Sequence, residues 1–131
     1  MNTQSELQLT RRLTLLSFGF KFGHPPCNYY FDASFLKNPA RETKFGLFSE
    51  PTNDMIDFVR NQPPCLPFVE KIADLALFLV DLDNDIRIGI GCNAGRHRSR
   101  IVCRVIADAI DQRDGSRNIH VKLVHREEAF L

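Results

Sequence analysis

Two hydrophobic periods alternate along this chain, and the switches between them mark its elements. Leu13–Phe20 is a nearly unbroken apolar, β-compatible run and predicts a first strand. Gly19, Gly23, Pro25 and Pro26 then force a loop. Aromatic-rich Tyr29–Leu36 predicts a second strand ending before Asn38-Pro39, and the polar stretch Arg41–Glu50, with Phe45 and Phe48 as candidate anchors, shows no period that assigns it. Thr52–Asn61 predicts a helix capped by Thr52 or Asn53, with Ile56 and Val59 near one face, and Gln62-Pro63-Pro64 breaks it. Leu66–Leu82 returns to helical spacing at Phe68, Ile72, Leu75, Leu79 and Leu82, apolar on more than one face as a buried helix is. Past the polar turn Asp81, Asp83, Asn84 and Asp85, the alternation of Ile86, Ile88 and Ile90 predicts a strand over Ile86–Gly91. Arg98–Arg113 predicts a helix turning Val102, Val105, Ile106, Ala109 and Ile110 inward, with Gly115 past its end, and Asn118–His125 alternates as a last strand. Strand–helix–strand at this length implies a right-handed parallel crossover. The expected architecture is α/β: one sandwich domain over residues 1–131, with 1–10 flexible, helices packed on a roughly four-stranded, mostly parallel or mixed sheet.

Composition narrows the class. The 131 residues, 44% of them apolar, suffice for one core and not two. A net charge of +1 means that any nucleic-acid role needs a local basic patch. Cys27, Cys65, Cys92 and Cys103 show no C-x-x-C spacing, as expected of free thiols in a reducing cytoplasm. The amino-terminal sequence has no signal-peptide character, and the longest apolar stretch, Leu75–Val80, is far too short for a membrane span, so a soluble cytoplasmic protein without a membrane partner is expected.

The chemistry concentrates in Gly89–Ser99, GIGCNAGRHRS, where a strand hands over to a helix through a Gly-rich turn. The unpaired N–H groups of a helix start carry the positive end of its dipole and attract anions. Arg96 and Arg98 add charge there, and a guanidinium fits phosphate oxygens. The candidate anion-binding residues are Cys92, Asn93, Ala94, Gly95, Arg96, His97, Arg98 and Ser99, with Arg98 making a bidentate contact, Ser99 donating its hydroxyl, and Arg96 and Lys21 on the rim. Phosphate, sulfate or a sugar phosphate is the expected occupant, with no cofactor. His24 and Cys27 are only two ligands in one loop, so no metal is expected. The plainer alternatives are a tight connection with solvated arginines and a protein-interaction adapter that takes no ligand. Against the first, Arg96, His97, Arg98 and Arg100 crowd a helix end where each cation costs about 0.3–1 kcal/mol without an anion.

Cys92-x5-Arg98-Ser99 also resembles the phosphate loop of Cys-dependent phosphatases, in which the thiolate would attack phosphorus, Arg98 hold the oxygens and Ser99 assist the leaving thiolate. A general acid is missing: Asp32, Asp81, Asp83 and Asp85 lie in no recognisable acid loop, and Gly91 stands where those enzymes carry His. Asp32 either orients Arg98 or caps a turn. Arg96, Arg100 and Arg104 recur at every fourth position and share one helix face, either a solvated stripe or the local basic patch RNA would need. The eleven Phe and no Trp suit core and loop packing better than base stacking.

A wider resemblance runs through most of the chain. Ser17-Phe18-Gly19-Phe20-Lys21 with Gly23 and Pro25, then Phe31-Asp32, Phe35-Leu36 and Asn38-Pro39, then Gly89–Ser99 and finally His125-Arg126, resemble in order the SFGFK, FDxRFLxNP, GCTGGKHRS and HR segments of the C-terminal domain of the RNase adapter family RapZ. The resemblance implies a standalone version of that domain, which binds small regulatory RNA, presents it to an endoribonuclease and senses glucosamine-6-phosphate. It implies an anion pocket at Cys92 through Ser99 and a further contact from Lys21; Asp32, Asn38, Arg100, Arg104, His125 and Arg126 are candidate supporting residues. The implied partners are a phosphorylated small molecule, a small regulatory RNA and a ribonuclease, with a homo-oligomer as a further candidate. The chain departs from the pattern at Ser34 (often Arg), Ala40 (His), Asn93-Ala94 (Thr-Gly) and in its acidic, apolar ending Glu127–Leu131 in place of a basic tail. Each lost phosphate contact would weaken RNA binding and flatten its salt dependence.

Overall fold

A computed structural model of the chain describes residues 10–39, 51–113 and 118–127. Four strands, β1 (Arg11–Gly19), β2 (Tyr29–Asp32), β3 (Asp85–Cys92) and β4 (Ile119–His125), form one sheet in the order β2-β3-β1-β4, with every pairing parallel. Parallel neighbours need crossovers, and helices α1 (Asn53–Arg60), α2 (Cys65–Leu82) and α3 (Arg98–Asp111) lie in them. The α/β architecture expected from the sequence is therefore present, and the sheet is all-parallel, not mixed.

Register explains where the core sits. Leu13 pairs with Ile86 and Val121, and Leu15 with Ile88 and Leu123, so these side chains share the face that carries the helices. Ile88, Ile90, Val59, Val69, Val102 and Ile106 meet them with no exposure. Truncating such a side chain, Ile88→Ala for instance, costs about 2–5 kcal/mol through lost burial and the cavity left behind. The opposite face holds Leu16 and Phe18, also buried. There Phe18, Phe20, His24 and Tyr30 stack with centroids 5.0–6.0 Å apart. Gly89 and Gly91 of β3 make room for them, since a Cβ on Gly91 would stand 2.6 Å from the Phe20 ring. These two glycines thus serve the aromatic layer rather than the anion turn, a correction to reading Gly89–Ser99 as one functional unit.

Local chemistry sets the boundaries. Thr52 caps α1, its hydroxyl accepting from the Met55 N–H at 3.3 Å, and Met55 joins Val59 as the buried residues of that helix. α2 begins directly after Pro63-Pro64 and tolerates Pro67 in its first turn, where no intrahelical N–H is needed. β1 begins two residues earlier than the apolar run, because the Arg11 and Arg12 N–H groups bond the Asn118 and Asn84 carbonyls. β2 ends four residues sooner than predicted: the Asp32 carboxylate accepts from the Ser34 N–H at 2.7 Å and turns the chain, after Ala33 N–H has made its bond to Gly91 O. α3 closes at Asp111 and β4 opens at Ile119, just after Asn118 in the left-handed region (φ 64°). Residues 40–50, with Phe45 and Phe48, and Gly115 lie outside the described residues.

Candidate anion site at the carboxyl end of the sheet

β3 ends at Cys92, and the turn 93–97 leads into α3 at Arg98, so the turn sits at the carboxyl end of the sheet, the usual ligand end of an open parallel sheet. Its shape depends on two glycines pressed together. Gly95 has φ 74°, and a Cβ there would strike Gly19 N and stand 2.6 Å from Phe18 C. A Cβ on Gly19 would stand 2.5 Å from Ala94 C. The end of β1 thus backs directly onto the turn. The Glu127 carboxylate holds it there, accepting from the Gly19 N–H at 2.6 Å, and Lys21 N–H bonds Asn93 O at 3.3 Å.

The turn encloses a cavity of about 70 Å³ lined by Asn38, Cys92, Ala94, Gly95, Arg96, His97 and Arg98. That is several times the ~10–15 Å³ needed by one water. His97 occupies the N-cap of α3 and is buried; it makes no side-chain cap bond, and no acidic residue stands in the first turn. The positive end of the α3 dipole therefore meets no carboxylate of its own helix.

Arg98 divides its guanidinium between two tasks. Its Nη1 donates to the Ser34 carbonyl at 2.8 Å and the Leu36 carbonyl at 3.1 Å, tying the segment after β2 to the turn. Its Nε is buried with no hydrogen-bond partner among the described residues. Nε shares its edge of the guanidinium with Nη2, and that edge is a two-point donor for an oxyanion. Beneath it Cys92 Sγ donates to Ser99 Oγ at 3.3 Å, both side chains buried.

The structure thus gathers Cys92, Ala94, Gly95, Arg96, His97, Arg98 and Asn38 around one cavity, with Ser99 directly behind Cys92. Asn93 is exposed beside it. Lys21 does not line the cavity; it is exposed, with Nζ 5.2 Å from the Phe22 ring centroid. Asp32 caps its turn through Ser34 and leaves Arg98 to the two carbonyls. Arg126 is a strut: Nε meets Glu127 at 3.0 Å, Nη2 donates to Gly23 O at 2.7 Å, and its guanidinium carbon stands 5.7 Å from the Phe18 ring centroid. His125 Nδ1 lies 2.6 Å from the buried Ser17 Oγ, away from the cavity, and Arg100 and Arg104 face the other flank of α3. Sequence reasoning missed the Ser34 and Leu36 carbonyls, Glu127 and Ser17. Only Ser17 gave a signal, as a polar residue inside an apolar strand that must find a partner. Burial pushes the Cys103 thiol far up and raises those of Cys65 and Cys27, although Arg87 opposes the rise at Cys27. No group of three or more His, Cys, Asp or Glu suited to a metal occurs among the described residues. Nor is any described helix long and apolar enough to cross a membrane.

The family model of the RapZ C-terminal domain matches residues 11–129. A nucleotide-binding protein of Clostridium botulinum (strain Eklund 17B / Type B) is 36% identical over 132 residues, covering 96% of this chain and 43% of that protein. One from Clostridium beijerinckii is 33% identical over 134 residues, covering 98% and 44%, and one from Listeria innocua 30% over 131 residues, covering 95% and 45%. The chain spans a little under half the length of these relatives. With the family pattern running from β1 to past β4, the chain belongs to the RapZ C-terminal domain family.

Proposed function

We propose that this domain is a non-catalytic sensor that binds a phosphorylated small molecule by its phosphoryl group in the Cys92–Ser99 cavity. The observation that carries the reading is the buried Nε of Arg98, without a hydrogen-bond partner among the described residues, in a residue that lines a cavity of about 70 Å³ at an α3 start with no side-chain cap. In this reading Arg98 offers its Nε–Nη2 edge to two oxygens, the backbone of 93–97 and the α3 dipole stabilise the charge, and Arg96 and Asn38 close the rim. The nucleotide-binding names of the relatives are compatible with such a ligand. By family resemblance the ligand is a sugar phosphate. The test is thermal unfolding with inorganic phosphate and with glucosamine-6-phosphate. A ligand at a hundred times its Kd adds about 2.7 kcal/mol, so the wild type shifts upward by several degrees and Arg98→Lys, which loses the fork, does not. Equal shifts in both proteins would remove the pocket.

The family's RNA and ribonuclease roles would use the exposed edge of α3 at Arg100 and Arg104 together with Arg96. RNA retention that is strong at low salt and collapses at physiological salt would support them. A second reading draws on the Cys92–Ser99 contact, which matches the nucleophile and helper hydroxyl of a Cys-dependent phosphatase. Asp32, caught in its own turn, supplies no acid to the cavity. Aryl phosphate hydrolysis that vanishes in Cys92→Ser would establish that reading over the sensor.

A further inference from the structure

On the flank of α3 away from the Cys92–Ser99 cavity lies a second groove of about 400 Å³, and the two share no lining residue. It exists because α3 stops short of covering the edge strand. Leu123 of β4 points to the helix-bearing face, in register with Leu15, and is still 39% exposed, whereas Leu15 is completely buried. Leu123 and Ile56 give the groove apolar walls from β4 and α1, with Ile101 beside them.

Its polar groups are ordered along one line. Arg100 and Arg104 stand one helical turn apart, so their side chains can converge on a single anionic group. Among the described residues Arg104 is in no ion pair. Asp108, a further turn on, adds a carboxylate acceptor. His125 closes the Arg100 end, its ring fixed by the 2.6 Å contact of Nδ1 with the buried Ser17 hydroxyl. A volume near 400 Å³ falls in the range of small-molecule sites, ~300–1,000 Å³.

We infer that this groove is a second ligand site, for an organic monophosphate of nucleotide size. Its phosphate lies between Arg100 and Arg104, its ring system packs on Leu123 and Ile56, and a hydroxyl or amino donor reaches Asp108. The inference does not depend on the occupant of the Cys92–Ser99 cavity.

Isothermal titration with adenosine monophosphate in phosphate-free buffer, on the wild type and on Arg98→Ala to separate the first cavity, tests it. The wild type binds saturably, and ribose 5-phosphate, which lacks the ring, binds at least tenfold more weakly. Arg104→Gln and Leu123→Glu, both at exposed positions and checked for native circular dichroism, each lose tenfold or more in affinity. The inference is overturned by absence of saturable binding at millimolar nucleotide, by equal affinity for ribose 5-phosphate, or by unchanged affinity in both variants.

Discussion

At the amino ends of β1 and β3 the chain gathers Asp81, Asp83 and Asp85; at the carboxyl ends of the sheet it gathers Arg96, Arg98, Arg100 and Arg126. The acidic end is exposed and settled by local bonds. Asp81 pairs with Arg11, and Asp83 accepts from the Asp85 N–H at 3.1 Å. The basic end is drawn into the fold. Arg126 spends its guanidinium on Glu127, Gly19 and Gly23, while Arg98 keeps a buried Nε without an acceptor among the described residues. The difference is desolvation: a solvated carboxylate already has water, whereas a buried, unmatched N–H is a cost that a ligand can remove.

The largest way to break this comparison is to destroy the turn that shapes the basic end. In Gly95→Ala the new Cβ meets the backbone of Gly19 and Phe18, and φ 74° adds strain. Neither backbone can retreat without opening β1 from the turn. A loss of about 3–4 kcal/mol is expected, measured by urea unfolding, together with loss of any phosphate-induced shift. Gly23→Ala is the control. It shares a positive φ (87°, with ψ 164°) but meets nothing within 4 Å, so only the conformational cost of about 1–3 kcal/mol remains. Equal losses in the two variants would show that strain, and not the contact between β1 and the turn, governs the site.

Arg98→Ala comes next. It removes the ties to the Ser34 and Leu36 carbonyls as well as the candidate ligand edge. Stability falls by about 1–3 kcal/mol from the carbonyls left without donors. Arg98→Lys separates the two tasks, since an ammonium can serve one carbonyl but not present a planar fork. If Arg98→Lys retains the full response to phosphate, the guanidinium is only a tie to the Ser34 and Leu36 carbonyls and the pocket reading falls with it.

These two glycines and one arginine also show how far the sequence could be read. The isoleucine alternation and the helical spacing of α2 and α3 gave the layers, because a period over eight or more residues is set by burial on one face. The end of β2 was hidden, because a single Asp32 side chain capturing a nearby N–H decides it. The strand–turn–helix junction was legible from Gly95 and the basic residues that follow β3. The division of Arg98 was not, because its partners are main-chain carbonyls more than sixty residues away, and a carbonyl has no residue identity. Lys21 was drawn to the rim by its charge, but its side chain lies by Phe22.

A third test separates burial as such from buried charge. Cys103 lies fully buried one turn into α3, and desolvation keeps its thiol neutral far above the ordinary value of 9.0. Below that value folded and unfolded chains are both protonated there, and the site is neutral toward stability. Above it the unfolded chain releases the proton and the folded chain cannot, so stability falls as pH rises. One pH unit beyond the ordinary value corresponds to about 1.4 kcal/mol. Urea unfolding between pH 8 and pH 10 should show this loss, and Cys103→Val should reduce it. An identical alkaline slope in Cys103→Val would place the loss elsewhere.

The smallest effect belongs to the acidic end. In the Arg11–Asp81 pair the Asp81 side chain is 65% exposed, so water already screens the charge that Asp81→Asn removes. The expected cost is about 0–1 kcal/mol, shrinking further in 0.5 M salt, and the response to phosphate at the far end of the sheet stays at its wild-type size. The value of the variant lies in its sign on that response. If the acidic end repelled anions from the whole molecule, neutralising Asp81 would raise the phosphate affinity, and the raised affinity would disappear in salt. If affinity is set locally by a desolvated donor at Arg98, it stays fixed at every ionic strength at which Arg98→Lys remains silent.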